Sequence, residues 1–190
     1  KDNSFDLCFY YSSNFSNTKF LRDSIKIIFE ILWLDNIWVN RFILISPKNR
    51  TVYNFRGDLI KELKAKGYDV IVTGPNNDGI DKIEELGVRF EKIQLDKTGI
   101  NVVADLKYTL KLWKLFKNEK PDVTLGYTIK PVIYGSIAAR LAGVKNINSM
   151  ITGVGYVFTA QTFKAKIIRF FASILYKLGL ASSTNVIFQN

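Results

Sequence analysis

From Arg41 onward, short β-branched runs alternate with longer segments of helical period. This alternation predicts repeated βαβ units feeding a parallel sheet. Six strands are expected, near residues 42–46, 69–73, 89–95, 122–126, 146–150 and 185–188. Between the first two, Phe55, Leu59 and Leu63 predict one helix face, which ends at Gly67 beside Lys64 and Lys66. A short helix near 78–86 stops in the same way at Gly87. Residues 102–117 set Val103, Leu106, Leu110 and Trp113 against Lys107, Lys111 and Lys114, an amphipathic pattern. Pro121 separates this helix from the fourth strand, Pro131 suits the first turn of the next helix, and Gly143 closes it. The last helix, 163–180, is expected to bury Ile167, Phe171, Ile174 and Leu178 and to carry Lys166, Arg169 and Lys177 elsewhere. Those cations read either as the solvated side of a core-packing helix or as a membrane-surface face drawn to anionic lipid.

The pattern as a whole predicts an α/β fold: a doubly wound, mostly parallel, Rossmann-like sheet over residues 41–190. Residues 1–40 stand apart, with a polar and aromatic start followed by an apolar stretch around 20–39 that holds Trp33 and Trp38. They read as an extra surface helix, as a membrane anchor, or as non-native sequence ahead of the domain, and the last reading is favoured. The only methionine is Met150, and the chain stops just after the apolar run Val186-Ile187-Phe188, so a fragment is expected.

Composition narrows the chemistry. With 47% hydrophobic and 23% charged residues in 190, the chain belongs with globular proteins. Its single cysteine, Cys8, excludes an intrachain disulfide and a cysteine-based zinc site. Histidine is absent, which removes the usual general base and the commonest metal ligand, and no metal is expected. The net charge of +10 favours a polyanionic partner: a diphosphate-bearing substrate, an anionic membrane surface, or nucleic acid. No nucleic-acid motif accompanies the charge, so nucleic acid ranks last and is not expected as a partner. No run approaches the roughly 18 apolar residues of a membrane span, and no secretory signal pattern opens the chain, so a cytoplasmic location is expected.

In a doubly wound sheet of order 3-2-1-4-5-6, ligands bind beyond the strand carboxyl ends between strands one and four. Loops 47–54, 127–131 and 152–162 would flank that crevice. Lys48, Arg50, Arg56 and Lys130 would bring positive charge there, suited to a phosphate. Gly153 and Gly155 would let backbone approach a sugar or phosphate closely, and Tyr156 could stack on a pyranose ring. The Gly153-Val154-Gly155 stretch lacks the third glycine of a dinucleotide fingerprint, and no P-loop occurs, which counts against NAD and ATP.

Several motifs fall in a recognisable order: Asn54-Phe55-Arg56-Gly57, Thr128-Ile129-Lys130-Pro131, Ala138-Ala139-Arg140-Leu141-Ala142-Gly143, Ile151-Thr152-Gly153-Val154-Gly155-Tyr156 and Phe163-Lys164-Ala165-Lys166. From about Arg41 to Asn190 this order resembles the amino-terminal half of a GT-B glycosyltransferase of family 4, the group that extends lipid-linked oligosaccharides with N-acetylhexosamine or galactose-type sugars. The resemblance implies an acceptor-side domain whose carboxyl-terminal donor domain lies outside this chain, in cis or in trans, and a fragment inactive by itself. It implies a UDP-sugar co-substrate, a polyprenyl-diphosphate-linked saccharide acceptor, and a peripheral place on the inner face of the plasma membrane. Asn54, Arg56, Gly57, Thr128, Lys130, Thr152, Gly153, Gly155 and Tyr156 would then bind substrate or phosphate, with the catalytic residues unassigned. Many members of that family carry a histidine near the end of the fourth strand, where this chain has Tyr127-Thr128-Ile129-Lys130, and the paired donor-site glutamates have no counterpart in this sequence. The alternatives are a non-catalytic, membrane-recruiting subunit of a two-chain transferase and, less favoured, a free-standing nucleotide-binding domain.

Overall fold

The computed structural model of the chain describes residues 41–96, 101–153 and 163–189, the last helix by its backbone alone as far as residue 168. Six strands, β1 (Arg41–Ile45), β2 (Asp69–Gly74), β3 (Arg89–Lys92), β4 (Val123–Tyr127), β5 (Asn146–Ile151) and β6 (Asn185–Phe188), form one sheet. Its order is β3-β2-β1-β4-β5-β6 and every pairing is parallel. The chain therefore starts in the middle, winds outward, returns at β4 and winds out again, the order assumed for a doubly wound sheet.

Strand alternation sends the side chains of β1 to two separate cores. Phe42 and Leu44 pack with Val52, Leu59, Ile60 and Leu63 on one face. Those four come from α1 (Asn49–Phe55) and α2 (Gly57–Ala65), which share that side with α3 (Ile80–Glu84). Ile43 and Ile45 meet Tyr108, Leu112 and Phe116 of α4 (Val102–Glu119), and Ala138 and Ala139 of α5 (Ser136–Ala142), on the other. A π-helical turn, Pro131–Gly135, leads into α5, and α6 (Phe163–Ser182) packs against both. Both faces of β1 and β4 are covered: Phe42–Ile45 is a continuous apolar run, and all five residues of β4, Thr124 included, are buried.

Three helices differ from the periodicity reading. The helix after β1 breaks at Arg56 (φ −126°, ψ 0°), so Phe55 turns outward at 58% exposure while Leu59 and Leu63 stay buried. In α4, Val103, Leu106 and Leu110 are exposed, and the buried stripe is Asp105, Tyr108, Leu112 and Phe116. Both stripes have helical spacing, so periodicity alone could not choose between them. The buried one carries a carboxylate that finds partners inside. In α6, Phe171, Ile174 and Leu178 are likewise exposed. That helix packs instead through its small residues: a Cβ on Gly179 would stand 2.7 Å from Ile133 Cα. Ser183 joins Ser149 of β5 (2.7 Å) and Ser136 of α5 through buried hydroxyls, with Ser136 and Ser149 2.8 Å apart. Close backbone crossing selects the smallest side chains, so the apolar stripe is left outside. Ile167 lies outside the described side chains.

The inverted face of α4 can be tested on one helix. Leu112→Ala is expected to cost about 2–5 kcal/mol in chemical denaturation. Leu110→Ala, two residues away, should stay within about 0.5 kcal/mol of wild type.

Candidate anion-binding pocket

The strand order places the reversal between β1 and β4, and a pocket of about 250 Å³ opens there, at the carboxyl ends of the strands. Thr51 and Phe55 of α1, Arg56, Tyr127 and Thr128 at the end of β4, Thr152 after β5 and Gln189 after β6 line it. Parallel pairing brings these distant segments to one edge: Tyr127 stands beside Met150, and Ile151 beside Phe188.

Arg56 dominates the electrostatics. The break between α1 and α2 drops its side chain into the sheet edge, where the residue is only 6% exposed. Nη2 donates to Gln189 Oε1 (2.8 Å) and toward Met150 Sδ (3.1 Å), and Nη1 donates to the carbonyl of Phe55 (3.1 Å). The guanidinium carbon lies 5.1 Å from the centre of the Tyr127 ring, a cation–π contact. Among the described residues no carboxylate pairs with it, and its Nε is buried without a partner. Burial accordingly lowers its pKa from the usual value, with Tyr127 opposing. A buried cation without a counter-charge is costly, so the site is poised to receive an anion.

Hydroxyls surround this cation. Tyr127, 2% exposed, donates to Ser46 Oγ (2.7 Å), and Thr51 Oγ1 lies 2.8 Å from the same phenol oxygen. Burial raises the Tyr127 pKa, offset in part by these two hydrogen bonds and by the charge of Arg56. Thr128 sits in the left-handed region at φ +68°. For a β-branched residue that conformation costs on the order of 1–3 kcal/mol and persists only where the surroundings enforce it. Its N–H reaches the Met150 carbonyl (3.3 Å) and its carbonyl accepts from Val132 (3.0 Å). Gly126 permits this tight turn, since a Cβ there would stand 2.9 Å from the Pro131 carbonyl oxygen.

Of the residues singled out in the sequence, Arg56, Thr128 and Thr152 meet in the pocket. Asn54 is exposed on α1, Gly57 is the buried first residue of α2, and Gly153 follows Thr152 at φ +135°. Lys48 is exposed just before α1 and Arg50 in its first turn, so most of the expected loop 47–54 is helical. Lys130 is engaged elsewhere, its Nζ 2.7 Å from Asp105 Oδ1. Gly155 and Tyr156 lie outside the described residues, as does the side chain of Lys166; Arg169 is half-buried and Lys177 exposed on α6. Tyr127, Thr51, Gln189 and Asp105 are additions that sequence reasoning missed. Tyr127 had a signal in strand alternation, since Val123, Leu125 and Tyr127 share one face of β4. Asp105 had another, a carboxylate spaced with Tyr108 and Leu112 along a helical stripe.

Among the described residues no carboxylate lines the pocket, and the arrangement can offer an anion one guanidinium beside hydroxyl and amide groups that can orient a polar ligand. Among the described residues, no three His, Cys, Asp or Glu side chains gather as a metal site.

Residues 42–190 match the model of a family described as glycosyl transferase 4-like. Over 146 residues the chain is 29% identical to the N,N'-diacetylbacillosaminyl-diphospho-undecaprenol alpha-1,3-N-acetylgalactosaminyltransferase of Campylobacter jejuni, a match covering 77% of this chain and 39% of that protein. Over 62 residues it is 38% identical to the UDP-Gal:alpha-D-GlcNAc-diphosphoundecaprenol alpha-1,3-galactosyltransferase of Escherichia coli, covering 33% of this chain and 16% of that protein. The chain thus spans well under half the length of either relative. Among solved structures, a glycosyltransferase from Rickettsia africae superposes with a TM-score of 0.53 at 14% identity, over 81% of this chain and 44% of that one. A UDP-N-acetylglucosamine 2-epimerase does so with a TM-score of 0.54 at 16% identity, over 76% and 40%. At such identities these likenesses speak for the fold alone.

Pyrophosphate at about 100 times its Kd would add about 2.7 kcal/mol of stability, a rise of roughly 5–10 °C in melting temperature. Arg56→Met is expected to abolish that rise while leaving the ligand-free melting temperature unchanged or higher. A ligand-free loss of several degrees would mark Arg56 as structural instead.

Proposed function

This chain belongs to the glycosyl transferase 4-like family, and on that premise we propose that it is the acceptor-side half of a retaining glycosyltransferase. The enzyme moves an N-acetylhexosamine or galactose-type sugar from a UDP-sugar to a saccharide carried on a polyprenyl diphosphate, in the synthesis of a cell-surface glycan. The observation that carries the reading is Arg56, a buried guanidinium without a carboxylate partner among the described residues, open to a pocket at the strand switch point. Support comes from the relatives, since both of their names specify an undecaprenyl-diphosphate-linked saccharide. The diphosphate of the acceptor lies against Arg56, and its sugar meets the hydroxyls of Thr51, Thr128 and Thr152. A donor domain outside this chain, in cis or in trans, holds the UDP-sugar.

The step needs no protein base. The acceptor hydroxyl oxygen bonds to the anomeric carbon, the bond from that carbon to the UDP phosphate oxygen breaks, and the proton passes to the departing phosphate on the same face of the sugar. A pocket with no carboxylate among its described residues, in a chain without histidine, fits that division of labour. The reading uses the UDP-sugar as co-substrate and calls for no metal ion.

The outer surface supports a place at a membrane. Residues 101–190 hold twelve Lys or Arg and only three Asp or Glu. Of those three acids Asp105 is buried, and Glu119 pairs with Arg41 and Arg89. Val103, Leu106 and Leu110 are exposed on α4 among Lys107, Lys111 and Lys114, and Phe170, Phe171, Ile174 and Leu178 are exposed on α6 beside Lys177. Apolar side chains rimmed by cations suit the interface of an anionic bilayer. The reading places the attachment at the periphery, on the inner face of the plasma membrane; among the described residues no helix is long and apolar enough to cross a membrane.

In transfer of labelled sugar to a short polyprenyl-diphosphate-linked acceptor by the intact protein, Arg56→Met should raise the acceptor KM by about tenfold or more, with Arg56→Lys intermediate. Unchanged kinetics would remove Arg56 from the site, whereas lipid binding without transfer would favour a recruiting subunit. Sedimentation with anionic vesicles should fall by about tenfold for the pair Leu106→Ser and Leu110→Ser, and again for Phe171→Ser with Ile174→Ser, with neutral vesicles binding little throughout. Equal binding by all forms would rule these faces out.

A further inference from the structure

Asp105 is a buried carboxylate that the anion pocket does not use. It lies in the first turn of α4, 2% exposed, and both its oxygens are occupied: Oδ1 by Lys130 Nζ at 2.7 Å and Oδ2 by the Tyr134 hydroxyl at 2.9 Å. Lys130 and Tyr134 are four residues apart, at the start of and within the π-helical turn that follows β4. Tyr134 also meets Tyr108 edge to face, ring centres 6.5 Å apart, so α4 grips this turn by an ion pair, a hydrogen bond and a ring contact. The Lys130 side chain is 15% exposed and that of Asp105 3%, which makes the pair largely buried. Removing one member leaves the other's charge uncompensated.

Two residues before Lys130 stands Thr128, left-handed at φ +68° on the pocket wall. Its own backbone contacts, one to Met150 and one from Val132, are at 3.3 and 3.0 Å. A strained β-branched residue holds its conformation only when neighbours over-determine it. The helical residues just beyond it are the ones tied to Asp105.

We propose that Asp105, Lys130 and Tyr134 form a clamp that holds the turn after β4 so that Thr128 is presented to the pocket. Asp105 is thus a positioning residue acting through Lys130, and Lys130 serves the pocket by shape rather than by touching the diphosphate. The functional part of this inference rests on the reading of the pocket as the acceptor site. The clamp itself does not depend on it.

The test is amide hydrogen exchange across residues 127–133 of the intact protein, with titration by farnesyl diphosphate as the probe. Asp105→Asn and Lys130→Met should each speed exchange at Val132, whose N–H bonds the Thr128 carbonyl, by about tenfold and weaken probe binding by a similar factor. The double variant should be little worse than either single one, because both remove one interaction. Lys130→Arg, which keeps the ion pair, should stay near wild type. Tyr134→Phe, which keeps the charges, gives a milder reading if Asp105→Asn fails to fold. Wild-type exchange at Val132 in Lys130→Met and Tyr134→Phe would overturn the clamp. Loss of probe binding in Lys130→Met with full binding in Asp105→Asn would also overturn it, by placing Lys130 on the ligand. If the wild-type protein binds no diphosphate, the acceptor reading falls while the exchange data still decide the clamp.

Discussion

A guanidinium buried at the edge of a parallel sheet imposes a demand on everything around it. Arg56 reaches that place because the helix after β1 is interrupted, and the interruption is what separates α1 from α2. Around the charge the fold supplies a tyrosine face, one amide oxygen, a thioether and one carbonyl, each able to soften the cost of burial and none able to neutralise it. Strand ends from both halves of the doubly wound sheet contribute to this arrangement. Without the reversal of strand order between β1 and β4, Thr51 and Thr152 would not face one cavity. The setting of this cation is therefore built into the topology and not confined to one loop.

Most of the architecture was legible in the sequence because parallel sheets advertise themselves. Six β-branched runs separated by helical segments led to six strands in the expected order. Arg56, Thr128 and Thr152 also stood out by residue type and position, and they do meet. The helical faces were not legible. Val103, Leu106 and Leu110 offer a better apolar stripe than Asp105, Tyr108, Leu112 and Phe116, yet the second is buried, since Lys130 and Tyr134 satisfy its carboxylate and no sequence rule counts partners from another element. In α6 the decisive residue is Gly179, whose lack of a side chain allows contact with Ile133 that no hydrophobicity scale rewards. Gln189 was hidden for a similar reason: its role depends on β6 lying beside β5, a third-dimensional fact.

Those two failures of periodicity share a physical meaning. Amphipathic helices of isolated soluble domains turn apolar stripes inward, whereas α4 and α6 keep theirs outward, next to lysines, in the half of the chain that carries nearly all the net charge. The same helices that misled the core prediction are the ones suited to a lipid surface. On the proposed function the chain separates its tasks: the sheet edge receives the charged group of a ligand, one helix of the layer steadies the wall of that pocket through Asp105, and the outside of the layer faces an anionic interface.

The place where a diphosphate binds is the most direct test. A crystal structure of the protein grown with farnesyl diphosphate should place a phosphate oxygen within hydrogen-bond distance of the Arg56 guanidinium, between Thr51 and Thr152. Phosphate density elsewhere, with Arg56 instead paired to a carboxylate from another part of the intact protein, would contradict it.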